Sequence, residues 1–219
     1  VIIASSGGVT CDGCGFINTD RATLTTGAPT VGPDGSVDIS VSGGTVSIGR
    51  GGLDGLGAND VQIAGRAVSV DGRIKTVNSL TVSGGAQNVD GLTGEVTPST
   101  SGTAAPSGFA VDATQYGVME AGRIKVMGTE AGLGVRALGN ISSGAGGTSL
   151  MSLDDLMLGS SSTAGDFEAG ATGNITITKD ASASGDVNIT AGTGGSGSVT
   201  LAETGGLYAG AEANITAGG

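Results

Sequence analysis

Three segments near the end of the chain set the terms for everything before them. Gly173-Asn-Ile-Thr-Ile-Thr178, Gly185-Asp-Val-Asn-Ile-Thr190 and Gly197-Ser-Val-Thr-Leu-Ala202 share one register and advance twelve residues each time. Glu212-Ala-Asn-Ile-Thr-Ala217 is a looser copy. A Gly-polar-apolar-Thr-apolar unit repeated at fixed spacing marks a solenoid, because one unit is too small to bury a core and must stack on its neighbour.

The same alternation runs through the rest of the chain in short pieces: Val37–Val41, Val46–Ile48, Val61–Ile63, Val68–Val70, Leu80–Val82 and Ile124–Val126. Each puts β-branched or aliphatic residues on one face and Ser, Thr, Asp, Asn or Lys on the other. Gly-Gly, Asp-Gly and Gly-Ser pairs separate them and supply the turns. With 45 Gly but only 4 Pro and no Gly-X-Y period, collagen is excluded. Disorder is the competing reading of a Gly/Ser-rich chain, and the positive mean hydropathy with many dispersed Val, Ile and Leu argues against it. Aromatic residues make up only 2% of the chain, so the interior must be thin and filled by stacked aliphatic side chains. The expected class is all-β, a β-solenoid.

The weak helical signal is confined to Ser149–Leu158, where Ser152 and Asp155 could cap a short turn; the expectation there stays non-helical. Residues 94–108 hold two of the four prolines and read as an excursion loop, and residues 159–166 as a shorter one. The net charge is −11, which disfavours binding to nucleic acid or to anionic lipid through a basic patch. No apolar run approaches the roughly 18–20 residues of a membrane span. Val1–Ala4 reads as a strand rather than as a leader, so residue 1 is expected to be a boundary within a longer protein.

Two long blocks carry a resemblance. Cys11-Asp-Gly-Cys-Gly-Phe-Ile-Asn-Thr19 followed by Arg21-Ala-Thr-Leu-Thr-Thr-Gly27, and then Phe109–Arg136, resemble the secretion domain of large bacterial exoproteins exported by two-partner secretion. That family includes the filamentous haemagglutinins and the contact-dependent growth inhibition toxins. Residues 63–74 and 80–89 match its texture more loosely. Where the family usually has Asn-Pro-Asn-Gly-Ile, this chain has Ser5-Ser6-Gly7-Gly8-Val9, which keeps the turn-forming character and loses the Asn and Pro.

The resemblance implies a right-handed parallel β-helix, with residues 1–142 as the secretion domain and 143–219 as the start of a repetitive shaft continuous with it. It implies a partner, the periplasmic domains of an outer-membrane transporter, and a route through the periplasm to the medium or the cell surface. The residues it marks for recognition or early folding are Ser5, Ser6, Gly7, Gly8, Asn18, Arg21, Thr23, Thr25, Gly122, Arg123, Thr129, Glu130 and Gly132. The alternative is an adhesive β-helix segment that itself binds a cell-surface receptor.

Cys11 and Cys14 are the only cysteines. A redox pair would want a βαβ setting, and a metal site would want more soft donors than a chain without His provides. A local disulfide is the reading preferred for an exported protein. An enzyme would need convergent groups from among Asp54, Asp60, Glu120, Arg123, Lys125, Asp154 and Asp155; the last two are adjacent and point apart on a strand, so none is expected. Gly51–Asp60 carries Gly and Asp as calcium-binding repeats do, but the spacing fails and the motif does not recur. No metal or cofactor is expected. Asn140, Asn174, Asn188 and Asn214 each open an Asn-Ile-Ser/Thr tripeptide; simple alternation accounts for them, and glycosylation is the second reading. Glu120, Arg123, Lys125, Glu130 and Arg136 are read as outward charges, forming an ion-pair ladder or facing a transporter.

Overall fold

The computed structural model describes residues 1–33, 35–100, 102 and 108–218, and all regular structure among them is β. The chain climbs in coils, and each coil visits three parallel ladders in turn. The first coil is β1 (Ile2–Ala4), β2 (Val9–Cys11) and β3 (Cys14–Gly15). The second is β4 (Thr19–Thr25), an excursion carrying β5 (Ala28–Val31) and β6 (Val37–Val41), then β7 (Thr45–Ile48) and β8 (Leu53–Gly55). The third is β9 (Ala58–Gly65), β10 (Ala67–Val70) and β11 (Ile74–Thr76). The fourth is β12 (Ser79–Gly84), an excursion carrying β13 (Gln87–Val89) and β14 (Val96–Pro98), then β15 (Phe109–Ala113) and β16 (Met119–Ala121).

Coils five and six use fewer, longer strands: β17 (Arg123–Gly128) with β18 (Gly134–Ser143), and β19 (Thr148–Ser152) with β20 (Leu156–Thr163). Coil seven is β21 (Phe167–Ala171), β22 (Ile175–Ile177) and β23 (Ala181–Ala183). Coil eight is β24 (Val187–Ala191), β25 (Val199–Leu201) and β26 (Leu207–Ala209), and β27 (Ala213–Ala217) lies on β24. The first ladder is β1-β4-β9-β12-β17-β19-β21-β24-β27. The second and third are joined because β18 and β20 bend and pair on both sides. The bends fall at Gly139 and Gly159, where any Cβ would meet the carbonyl oxygen of Gly117 or Leu138 one coil below. The architecture is a parallel β-helix.

Registers stack like on like. In the first ladder Leu24, Ile63, Val82, Val126, Leu150, Ala169 and Ile189 form one inward column. In the second, Val46, Val68, Val111, Val135, Leu156 and Ile175 form another. All join a single buried core. Burying one such side chain contributes about 1.5–3 kcal/mol, so the core is a sum of many small identical gains.

Three expectations need correction. Successive twelve-residue units do not stack on each other: Ile175 lies beneath Val199, two units on, while Val187 belongs to the first ladder between Phe167 and Ala213. One coil therefore consumes two units, because the chain must travel around the other sides before returning. Residues 159–166 are not an excursion, since β20 continues to Thr163. They looked like a loop because the inward positions are polar and satisfy one another: Ser143 Oγ lies 2.7 Å from Thr148 Oγ1, which accepts from Thr163 Oγ1 at 3.0 Å. Of residues 94–108, those described up to 100 leave the helix but include strand β14; residues 101 and 103–107 of that segment lie outside the described residues. Ser149–Leu158 forms the end-to-end pair β19 and β20, and the corner between them shifts the alternation by a phase that mimics helical spacing.

The two excursions meet. β14, β13, β6 and β5 form an antiparallel sheet in which Ile39 pairs with Val89 and Val41 with Gln87. Val37–Val41 is thus a strand, as its alternation predicts, but not a solenoid strand. This sheet covers the outward side of the first ladder over a small second core of Ile39, Val41, Ala64, Val89 and Val96, with Met127 packed against it. Polar residues that alternation turns outward, Thr23, Thr25, Gln62 and Ser83, are consequently buried.

Candidate functional site

The first family block builds the lowest coil and its corners. Ser5, Ser6 and Gly7 are exposed and Gly8 is half-buried in a tight turn, with the Gly8 N–H donating to the Ser5 carbonyl at 3.0 Å. Gly8 has φ +125°, a conformation that side chains rarely adopt. Cys11 and Cys14 are joined in a disulfide. Its loop seats on the turn of the next coil: the Gly49 N–H donates to the Cys11 carbonyl at 2.7 Å, and Gly13 N–H to the Gly52 carbonyl at 2.9 Å. The Asp12 carboxylate accepts from the Gly51 N–H at 2.5 Å.

Asn18, exposed, has φ +54° and is the one non-glycine residue with positive φ among those described; Asn tolerates this region better than most. Beside it Ile17 is 91% exposed. Arg21 is half-buried and reaches the Gly91 carbonyl of the second excursion at 3.4 Å. Thr23 and Thr25 are buried beneath the covering sheet, and Thr25 Oγ1 accepts from the Gly27 N–H at 2.9 Å.

The second block divides differently. Gly122 is half-buried and donates to the Val77 carbonyl at 3.1 Å, while Arg123 is exposed and its Nε donates to the Gly146 carbonyl at 3.3 Å. Gly132 is exposed at φ +82°. Thr129 is buried, and its hydroxyl faces the carbonyls of Gly84 and Ala86 at 3.0 and 3.1 Å.

Glu130 is not an outward charge. Its two carboxylate oxygens receive Arg66 Nε and Nη2, each at 2.7 Å, and it also accepts the Ala86 N–H at 3.1 Å. The Arg66 hydrogen bonds hold the Glu130 carboxyl below its ordinary value, against the opposing effect of burial. Arg66, which sequence reasoning passed over, is only 4% exposed and also donates to the Ser42 carbonyl at 2.7 Å. The available signal was that Arg66 is the sole charge in the run Val61–Val70. A long buried cation implies a partner.

The remaining charges pair locally. On the third ladder Asp54, Lys75 and Glu120 form an outward column. Glu120 contacts Arg73 at 2.5 Å and Lys75 at 3.8 Å, and the Arg73 hydrogen bond depresses its carboxyl. Arg136 pairs with Asp112 at 2.6 Å and stacks 4.5 Å from the Phe109 ring centre. Lys125 is half-buried on the first ladder, and Asp60 stands in its outward column with Arg123. Asp154 and Asp155 occupy a corner, where Asp155 Oδ1 accepts the Asn174 N–H at 2.7 Å. The groups weighed for catalysis thus stand on two ladders and a corner.

The four tripeptide asparagines face outward. Asn140 accepts from Ser160, Asn174 from the Ser198 N–H and hydroxyl, and the Asn214 amide donates to Asn188 at 3.1 Å. Each links its own coil to an adjacent one. At Gly51–Asp60, β8 and the start of β9 supply the Gly/Asp pattern, and among the described residues no group of three or more His, Cys, Asp or Glu could hold a metal ion.

A three-ladder helix strapped by an antiparallel sheet is the class of protein that this architecture defines. Residues 1–158 match the TPS secretion domain family, so the chain belongs to the two-partner secretion domains. It is 41% identical over 167 residues to a tRNA nuclease CdiA of Escherichia coli (strain STEC_O31), covering 76% of this chain and 5% of that protein. It is 38% identical over 159 residues to tRNA nuclease CdiA-2 of Burkholderia pseudomallei (strain 1026b), covering 72% and 5%. Filamentous hemagglutinin of Bordetella pertussis (strain Tohama I) is 35% identical over 150 residues, covering 65% and 4%. The crystal structure of the filamentous hemagglutinin secretion domain superposes with a TM-score of 0.73 at 26% identity, over 98% of this chain and 66% of that one. The chain spans about one-twentieth of the length of these curated relatives.

Proposed function

We propose that this segment is what a dedicated outer-membrane transporter recognises in a much larger exoprotein, and that it then seeds β-helix folding outside the cell. One observation carries the reading. Relatives named tRNA nuclease, 16S rRNA endonuclease and hemagglutinin all share this region, although it is only 4–6% of each. A segment common to proteins of such different named activities serves a step they have in common, and export is that step. No catalysis is assigned to this segment; whatever the remainder of the protein does is carried by its other parts.

The geometry supports a division of labour among the marked residues. Ser5–Gly8, Asn18, Arg123 and Gly132 are solvent-facing or at turns and are suited to meet the transporter. Thr23, Thr25, Thr129 and Glu130 are internal and are suited to folding. Residues 1–142 act as the recognition and seeding part, and 143–219 as the first turns of a shaft on the same ladders. The path runs through the periplasm, where the chain is unfolded and extended segments can add to sheets of the transporter's periplasmic domains.

The test is export of this segment behind a signal peptide, with and without its cognate transporter. Transporter-dependent appearance in the medium is the expected outcome. Periplasmic retention with a functional transporter, combined with a folded β-helix in vitro, would reject the reading in favour of an adhesive segment.

A further inference from the structure

The covering sheet is built from two distant coils. β6 leaves from coil two and β13 from coil four, and their pairing closes over coil three, whose Ala64 contributes to the small core beneath. That pairing therefore spans coil three, which is stacked between its neighbours. Arg66 occupies the corner of coil three, between the stems of the two excursions. It donates to the Ser42 carbonyl in the first stem. It pairs in bidentate fashion with Glu130 of coil five, which in turn accepts the Ala86 N–H of the second stem. Gln87, wholly buried, adds bonds from its amide to the carbonyls of Gly65 and Ser83.

We infer that the strap and the Arg66–Glu130 clamp make coils two to five a single cooperative folding unit. Coils seven and eight, by contrast, open and close coil by coil on top of it. The seed for stacking is complete only when Glu130 has joined, so a chain ending before the second family block has all the early strands and no lock. This assigns Glu130, Arg66 and the second block a role in folding that recognition by a transporter does not require.

Native-state hydrogen exchange on the purified chain tests this without any transporter, so its outcome is independent of the export experiment. The reporters are the Leu53 and Ile74 amides on the third ladder, bonded to the carbonyls of Arg73 and Val118 at 2.8 Å, on the ladder opposite the strap's own. Neither touches the strap. In Glu130→Gln, and in the milder single variant Val89→Ala should the first not fold, these amides should exchange at least about tenfold faster. The Val82 amide should accelerate by the same factor, and the Phe167 amide, bonded to the Asp186 carbonyl, should not change. Acceleration confined to residues 37–41 and 87–98 would overturn the inference, because the strap would then be a passive cover. Equal acceleration at Phe167 would overturn it as well, because the whole chain would then be one unit.

Discussion

Coils two to five and coils seven and eight share the same three ladders and the same inward columns, yet they are held together by different means. The lower coils carry contacts that skip a coil: β6 to β13 across coil three, and Arg66 of coil three to Glu130 of coil five. Among the described residues the bonds of the upper coils run to adjacent coils, through the ladders and through side chains such as Asp166 accepting the Asp186 N–H and Asp186 accepting that of Glu212. The outward column shows the border. Met127 is half-buried against the strap's core, whereas Met151, one coil further, is 37% exposed. Nearest-neighbour contacts give additive stability and easy growth; longer-range contacts give cooperativity and a defined start. The comparison teaches that one solenoid can use both, a locked base and an extensible stack.

The sharpest way to break this contrast is to cut equivalent core residues in the two regions. Phe167→Ala empties the largest buried position in the upper stack and should cost about 3–5 kcal/mol, seen by hydrogen exchange as loss of protection in coils six to eight only. Leu80→Ala, about 2–5 kcal/mol, should lower protection throughout coils two to five together. If Phe167→Ala also opens Val61–Ile63, the two regions are not distinct.

Removing one partner of the clamp comes next, since it strands a buried guanidinium. Glu130→Gln should destabilise the lower coils by about 3 kcal/mol in denaturant titrations. The clamp also predicts acid sensitivity. Because Arg66 depresses the folded-state pKa of Glu130, its contribution is full above the unfolded glutamate value of about 4.3 and is lost as pH falls through the lower folded value. Melting followed from pH 7 downward should show a loss that Glu130→Gln lacks; identical pH profiles would remove the clamp from the account.

At the bends, Gly159→Ala should cost about 1–3 kcal/mol, because the added methyl meets the Leu138 carbonyl; the loss should be felt in coils six to eight and spare coils two to five with their strap. Replacing Cys11 and Cys14 together by Ser should cost at most about 2 kcal/mol, as the loop closed is short, with loss of protection restricted to the first coil. Glu120→Gln should be too small to resolve by denaturation, since the Arg73 side chain it pairs with is 54% exposed.

The strands, the class and the family were legible in the residues alone. Alternation in Val46–Ile48, Val68–Val70 or Ile175–Ile177 is a local property, so each run declared its strand and its inward face. The Gly-bounded repeat declared stacking, and the two long blocks declared the secretion family. Which runs lie on which emerged from the folded coils. Units twelve residues apart fall on different ladders because a coil has three sides, and no local pattern counts sides. The polar interior at Ser143, Thr148, Ser161 and Thr163 hid β20, because hydroxyls that satisfy each other look like a loop when read one at a time. Glu130 showed in the sequence only as a charge. It became a clamp because folding brings Arg66 against it from two coils below, and a pairing 64 residues apart leaves no trace in spacing.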